Sequence, residues 1–80
     1  MALASTPSSR GPRKRSLTIA GHRTSISLED SFWHALKEVA QGQGRSVPVI
    51  VAEIDSQRGT TGLSSAIRAF VLEAYRGGVR

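Results

Sequence analysis

Residues 23–58 decide the fold, and they read RTSISLEDSFWHALKEVAQGQGRSVPVIVAEIDSQR. At the start of this stretch Ile26 and Leu28 alternate with Ser25 and Ser27, which is the period of a strand with one buried face. The apolar residues that follow recur with the period of a helix, and a glycine-containing turn leads to a second helical stretch. The sequence therefore predicts a short strand that runs directly into two helices.

Apolar residues mark three helices in all. In the first, they fall at positions i, i+3, i+4, i+7 and i+8 from Phe32, and Glu29 and Asp30 place negative charge at the positive end of the helix dipole. Ser46 can cap the second helix, with Pro48 in its first turn, although the β-branched residues here also permit a buried strand. A third helix follows a glycine loop. The predicted elements are strands over about 16–20 and 23–28 and helices over about 29–41, 47–58 and 63–76.

A second alternating stretch lies upstream of the first strand. Leu17 and Ile19 alternate with polar neighbours, but their phase is opposite to that of Ile26 and Leu28. A change of phase needs a turn, a bend or a bulge, and Gly21 lies where the break should fall. The pattern predicts two short strands and leaves open whether they pair with each other as a hairpin.

The net charge of +5 lies wholly at the beginning of the chain. Residues 1–23 hold five basic and no acidic side chains, whereas residues 24–80 hold six of each. We expect residues 1–15 to form a flexible basic arm and residues 16–80 to form the folded domain. A basic arm on a neutral body indicates a polyanionic partner, most often nucleic acid.

The small size of the chain indicates that it needs a partner subunit. Eighty residues bury little surface alone, and there is no cysteine for a disulfide or a thiolate metal site. The strand at 23–28 also has an unsatisfied edge, which antiparallel pairing with its twin in a homodimer would satisfy. The result is a two-stranded ribbon over four helices, and such a ribbon fits the major groove of DNA.

The sequence carries no catalytic or cofactor motif. His34 and Glu38 lie at i, i+4 on one helix face, but two ligands do not make a metal site. A phosphate-binding glycine loop is missing, as is a nucleophile with a base nearby in sequence. We predict that the protein is not an enzyme and has neither a cofactor nor a metal. With no apolar run of about 18 residues, we expect a cytoplasmic protein, and a nucleic-acid partner would associate it with the nucleoid.

Segment 23–58 resembles the ribbon-helix-helix family of DNA-binding proteins, the Arc and MetJ type. The turn Gly44-Arg45-Ser46-Val47 is similar, residue for residue, to the turn between the two helices in Arc. Counting back from that turn places Ile26 and Leu28 at the inward strand positions of the family. The same count places at the outward, base-reading positions Arg23, Ser25 and Ser27.

The resemblance implies a dimeric transcriptional regulator that binds specific DNA sequences through its ribbon in the major groove. It also implies that the start of the second helix anchors a DNA phosphate, since free backbone N–H groups and the helix dipole favour an anion there. The residues expected to contact phosphates are Arg10, Arg13, Lys14, Arg15, Arg45, Ser46 and Val47.

The wider stretch from about 14 to 76 resembles a group of short bacterial proteins classed as ribbon-helix-helix. The shared residues include Thr18-Ile19-Ala20-Gly21-His22 and Leu63-Ser64-Ser65-Ala66. The third helix exceeds the minimal core of the family. The alternative function is therefore a protein-interaction module, such as an antitoxin or adaptor, that binds a protein partner through residues 63–80.

Overall fold

A computed structural model describes residues 11–77 of the chain. Two strands form an antiparallel hairpin, β1 (Arg13–Ile19) and β2 (His22–Leu28), and three helices follow, α1 (Asp30–Gln43), α2 (Val47–Gln57) and α3 (Leu63–Gly77). The order of elements confirms the predicted ribbon-helix-helix chain fold with an added C-terminal helix. The β-branched stretch of α2 is helical and not a buried strand, and Pro48 stands in its first turn.

The two strands are joined by the two-residue turn Ala20-Gly21, and Ile19 pairs with His22 across it. Both turn residues have positive φ, 49° for Ala20 and 82° for Gly21. Positive φ at both central positions is the backbone of a type I′ turn, which matches the twist of the flanking strands. Gly21 adopts this conformation freely, whereas it is unfavourable for an alanine. The change of phase in the sequence is therefore a tight turn, and the strands pair within one chain.

β1 begins at Arg13, inside the range 1–15 that the sequence assigned to a flexible arm. The register gives the reason, because Arg13 lies opposite Leu28 and Arg15 lies opposite Ile26. β2 thus supplies ladder partners to the whole basic cluster. The prediction of an arm is corrected for residues 13–15, which are strand, and residues 1–10 lie outside the described part of the chain.

One apolar core lies beneath the hairpin and between the helices, and every element contributes to it. Leu28, Leu36 and Ile50 are among the side chains with no accessible surface. Burying an aliphatic side chain of this size stabilises the fold by about 1.5 to 3 kcal/mol. The buried members of the core are Ile19, Ile26, Leu28, Leu36, Ala40, Ile50, Val51, Ile54, Ile67 and Val71.

α3 is fastened to the junction between β2 and α1. Ser64 Oγ accepts the N–H of Ser27 at 3.0 Å, and Arg68 donates to the carbonyl of Ser27 at 3.5 Å. Arg68 also donates to both carboxylate oxygens of Glu29, at 2.9 and 3.2 Å, and lies 5.8 Å from the ring centroid of Phe32. The hydrogen bond from Arg68 lowers the pKa of Glu29, and the backbone N–H of Glu29 itself makes a smaller contribution in the same direction. These contacts fix the end of β2 against α3.

Candidate nucleic-acid interface

The face of the hairpin that is turned away from the helices is polar and basic. Directly paired residues of an antiparallel ladder share a face, and side chains alternate along each strand. Because Ile26 and Leu28 are buried, Ser25 and Ser27 and all residues in phase with them point outward. We call this the outer face, and the register assigns to it Arg23, Ser25 and Ser27 from β2 and Thr18, Ser16 and Lys14 from β1.

The side chains of the outer face are exposed, except that Ser27 is half-buried beside α3. Lys14 and Arg23 form no ion pair with any carboxylate in residues 11–77. Two unpaired cations among small hydroxyl side chains produce a surface that attracts anions and can donate and accept hydrogen bonds. The three residues that the sequence proposed as base readers thus lie together on one accessible face.

Strand alternation divides the basic cluster at the start of β1 between the two faces of the hairpin. Arg15 points toward the helices, where its Nη2 lies 2.5 Å from Asp30 Oδ1 and its guanidinium lies 4.9 Å from the ring centroid of Trp33. Arg13 lies on the same face and forms a looser ion pair with Asp30 at 3.6 Å, with its side chain 58% exposed. The structure therefore joins Lys14 to the outer face and gives Arg15 a structural role.

The start of α2 presents free backbone donors. Ser46 Oγ accepts the N–H of Val49 at 3.3 Å and so caps the helix. Pro48 has no N–H to offer. The N–H groups of Ser46 and Val47 have no hydrogen-bond partner among the described residues. These two adjacent amides lie at the positive end of the helix dipole, where an anion is favoured.

Two other predicted phosphate ligands differ from this pattern. The guanidinium of Arg45 is already engaged, because it forms an ion pair with Glu53 and donates to Gln43 Oε1 at 3.1 Å. A phosphate would have to compete with Glu53 for it. Arg10 lies outside the described residues.

The contribution of β1 to the outer face was missed at the level of sequence. Thr18 lies opposite Arg23, and Ser16 lies opposite Ser25. The signal was the Ala20-Gly21 pair between two alternating stretches, since a two-residue loop fixes the register of a hairpin. Once the turn is placed, the outward residues of β1 follow by counting.

A second surface is an open apolar groove of about 390 Å³ between α1 and α3. Its most exposed apolar side chains are Leu72 and Tyr75, at 54% and 43%. Tyr75 donates its hydroxyl to Glu38 Oε1 at 2.6 Å, and this hydrogen bond raises the pKa of Tyr75 above its ordinary value of 10.0. The residues that line the groove are Ser31, Phe32, Ala35, Val71, Leu72 and Tyr75.

The described range offers little else for ligand chemistry. Between residues 11 and 77, no three His, Cys, Asp or Glu side chains are grouped so that they could hold a metal ion. No helix in that range has the length and apolar character needed to cross a membrane.

Comparison with known proteins adds one positive finding. A family model described as a ribbon-helix-helix domain matches residues 12–75, a range that contains the hairpin, α1, α2 and most of α3. Because the match extends into α3, the third helix is part of the matched domain. No curated protein and no solved structure matches the chain.

Proposed function

The chain belongs to the ribbon-helix-helix family, and from this premise we propose that it is a small dimeric transcriptional regulator that binds specific sites in DNA. Proteins of this family generally bind DNA and form dimers. The observation that carries the proposal is the outer face. Within residues 11–77, the side chains of Arg23 and Lys14 have no ion-pair or hydrogen-bond partner that would explain them as stabilising residues, and they lie opposite a buried apolar face.

The shape and chemistry of the outer face suit the major groove. A two-stranded ribbon can enter a groove about 12 Å wide, and short side chains such as Ser25 let the backbone approach the base edges. Arg23 can donate two hydrogen bonds to one guanine, and the serines can donate to or accept from several bases. These residue types support sequence readout in which Arg23 supplies the strongest single contact.

Contacts to the DNA backbone supply the rest of the affinity in this proposal. Arg10, Arg13 and Lys14 lie close together in the sequence and bring positive charge to the phosphates beside the ribbon. The free N–H groups of Ser46 and Val47 form a second anchor on each subunit, and Arg45 joins it when it leaves Glu53. In a bacterial cell, this function places the protein on the nucleoid.

The experiment is a fluorescence anisotropy titration of a labelled random-sequence duplex at 50 mM salt, followed by selection from a randomised duplex pool. Ser25→Glu adds a negative charge to the outer face, and the matched Gln41→Glu adds the same charge to an exposed position on α1. We expect the wild type and Gln41→Glu to bind and Ser25→Glu to lose binding. Absence of binding by the wild type at low salt refutes the proposal.

A second function, a protein-interaction module such as an antitoxin or adaptor, is supported by the groove between α1 and α3. Much of the apolar surface of Leu72 and Tyr75 is exposed in this groove. Deletion of α3 would remove the buried Ile67 and Val71, so a point substitution is the better test. Leu72→Glu should release a co-purifying protein that Arg23→Ala retains. A partner that survives Leu72→Glu contradicts this function.

A further inference from the structure

Of the three residues proposed to read bases, Ser27 lies nearest to α3, and its backbone groups face that helix. The closing pair of a two-residue hairpin turn, here Ile19 and His22, is hydrogen-bonded. Hydrogen-bonded and non-hydrogen-bonded pairs then alternate along the ladder, and the count makes Ser27 and Lys14 a non-hydrogen-bonded pair. The backbone N–H and C=O of Ser27 therefore point away from β1.

α3 supplies a hydrogen-bond partner to each of these two backbone groups. Ser64 Oγ accepts the N–H of Ser27 at 3.0 Å, and Arg68 Nη2 donates to the carbonyl oxygen of Ser27 at 3.5 Å. Arg23 and Ser25 have the same phase as Ser27, but within residues 11–77 no side chain bonds to their backbone groups. α3 thus covers the edge of β2 at Ser27 and fixes the backbone of this one residue.

Arg68 is held in place by contacts of its own. Its guanidinium donates to both carboxylate oxygens of Glu29, at 2.9 and 3.2 Å, and lies 5.8 Å from the ring centroid of Phe32. Glu29 directly follows β2 and is the N-cap residue of α1, although its side chain makes no capping hydrogen bond. Because this carboxylate neutralises its charge, Arg68 is better suited to hold the end of the strand than to bind a phosphate.

The hydroxyl of Ser27, in contrast, is free to bind a ligand. Ser27 is half-buried on the outer face, and its Oγ forms no hydrogen bond with any group in residues 11–77. A hydrogen bond weakens steeply as its angle departs from the preferred range, and the end of a strand that frays cannot keep that angle. A side chain that is held in place before binding also loses less conformational entropy when the contact forms. The fixed backbone of Ser27 therefore favours a directed contact from its hydroxyl.

We propose that Ser64 and Arg68 are positioning residues for sequence readout, which hold Ser27 so that its hydroxyl meets one base edge. The proposal rests on the DNA binding of the proposed function and assigns part of its specificity to α3. If these contacts served stability alone, their loss would weaken binding to all duplexes equally. As positioning contacts, their loss lowers selectivity at the base position that Ser27 contacts and leaves the other positions unchanged.

The test compares the Kd of a duplex selected from the randomised pool with the Kd of each of its single-base variants. Loss of preference in Ser27→Ala identifies the position that Ser27 reads. We expect Ser64→Ala to reduce the preference at that position by about threefold to tenfold, the range of one hydrogen bond. Ser64→Thr keeps the accepting oxygen and should retain the preference of the wild type. Ser65→Ala, the matched control at an exposed neighbouring position, should retain it as well.

Two further variants separate positioning from charge and from stability. Arg68→Lys keeps the positive charge but lacks the planar group that bonds to Glu29 and to the carbonyl of Ser27 together, so it should lose preference at the same position. In the double variant Ser27→Ala/Ser64→Ala, the second substitution should remove no further preference, because the hydroxyl that Ser64 positions is gone.

Several results would overturn the positioning role. They are a uniform loss of affinity in Ser64→Ala, the preference of the wild type in Arg68→Lys, and additive losses of preference in the double variant. Unchanged preference in Ser27→Ala overturns it as well. In each of these cases, binding of the wild type to its selected duplex leaves the proposed function standing, whereas absence of that binding refutes the proposed function itself.

Discussion

Arg23 and Arg15 lie on opposite faces of the same hairpin, so replacing each with alanine separates DNA contact from folding stability. Arg23 is exposed and has no ion-pair partner among the described residues. Each phosphate contact contributes about 0.9 to the slope of log K against log salt. Arg23→Ala should therefore reduce the slope by about 0.9 per subunit if Arg23 lies on a phosphate, and by less if it lies on a base. Stability should change by less than about 0.5 kcal/mol.

Arg15 should show the opposite behaviour. Its side chain is 19% exposed, lies 2.5 Å from Asp30 and stacks on Trp33. Loss of a partly buried ion pair and of a cation–π contact costs about 1 to 2 kcal/mol in total. For a domain of this size each kcal/mol lowers Tm by about 4 to 8 °C. Arg15→Ala should thus lower Tm by several degrees and leave the salt slope unchanged.

The assay is a set of anisotropy titrations with one duplex between 50 and 200 mM salt, paired with thermal unfolding followed by circular dichroism. Both variants remove one positive charge from the hairpin, so each is the control for the other. Equal changes of slope in the two variants would show that net charge alone governs binding. A drop in Tm for Arg23→Ala with none for Arg15→Ala would refute the assignment of faces.

Three further predictions concern the turn and the hydrogen-bonded contacts of α3 with Glu29 and Glu38. The pKa of Glu29 is lowered, so the stabilisation of the fold by its pair with Arg68 is present above the ordinary pKa of 4.5 and is lost as pH falls through the lowered value. The free energy of unfolding, measured with denaturant, should lose this acid dependence in Arg68→Ala. Ala20→Asn should stabilise the hairpin by about 0.5 to 1 kcal/mol, since asparagine tolerates positive φ, and an unchanged urea midpoint would contradict the turn. Absorbance titration should place the pKa of Tyr75 above 10.0, and Glu38→Gln should lower it.

Much of the candidate site follows from sequence because strand alternation is a local property. Ile26 and Leu28 could be placed on one face of the strand from the pattern of apolar residues, and the family resemblance implied that Arg23 lies outward. The structure shows that arrangement. The position of Ser16 on the outer face was missed only because the turn at residues 20–21 was not used to set the register of the hairpin. The prediction that residues 13–15 belong to a flexible arm was wrong, because these residues pair with β2.

Other features depend on contacts between residues that are far apart in the sequence. Ser64 and Arg68 reach the backbone of Ser27 across separations of 37 and 41 residues. Nothing in the neighbourhood of Ser64 in sequence marks it as a residue that closes a strand edge. The role of Arg15 is a second example. Its basic cluster predicts a phosphate-binding arm, whereas in the structure Arg15 contacts Asp30 and Trp33.

By itself, the sequence determined the order of the elements and the buried faces, because hydrophobic periodicity and turn chemistry act between neighbours a few residues apart. Only the tertiary structure decided which cations of residues 11–77 form ion pairs and where α3 docks. These depend on how the helices pack on the hairpin, and packing brings together side chains whose positions in the sequence bear no simple relation to one another. The size and charge of the chain indicate a partner, and the packed structure shows which polar and basic side chains of the hairpin share one exposed face.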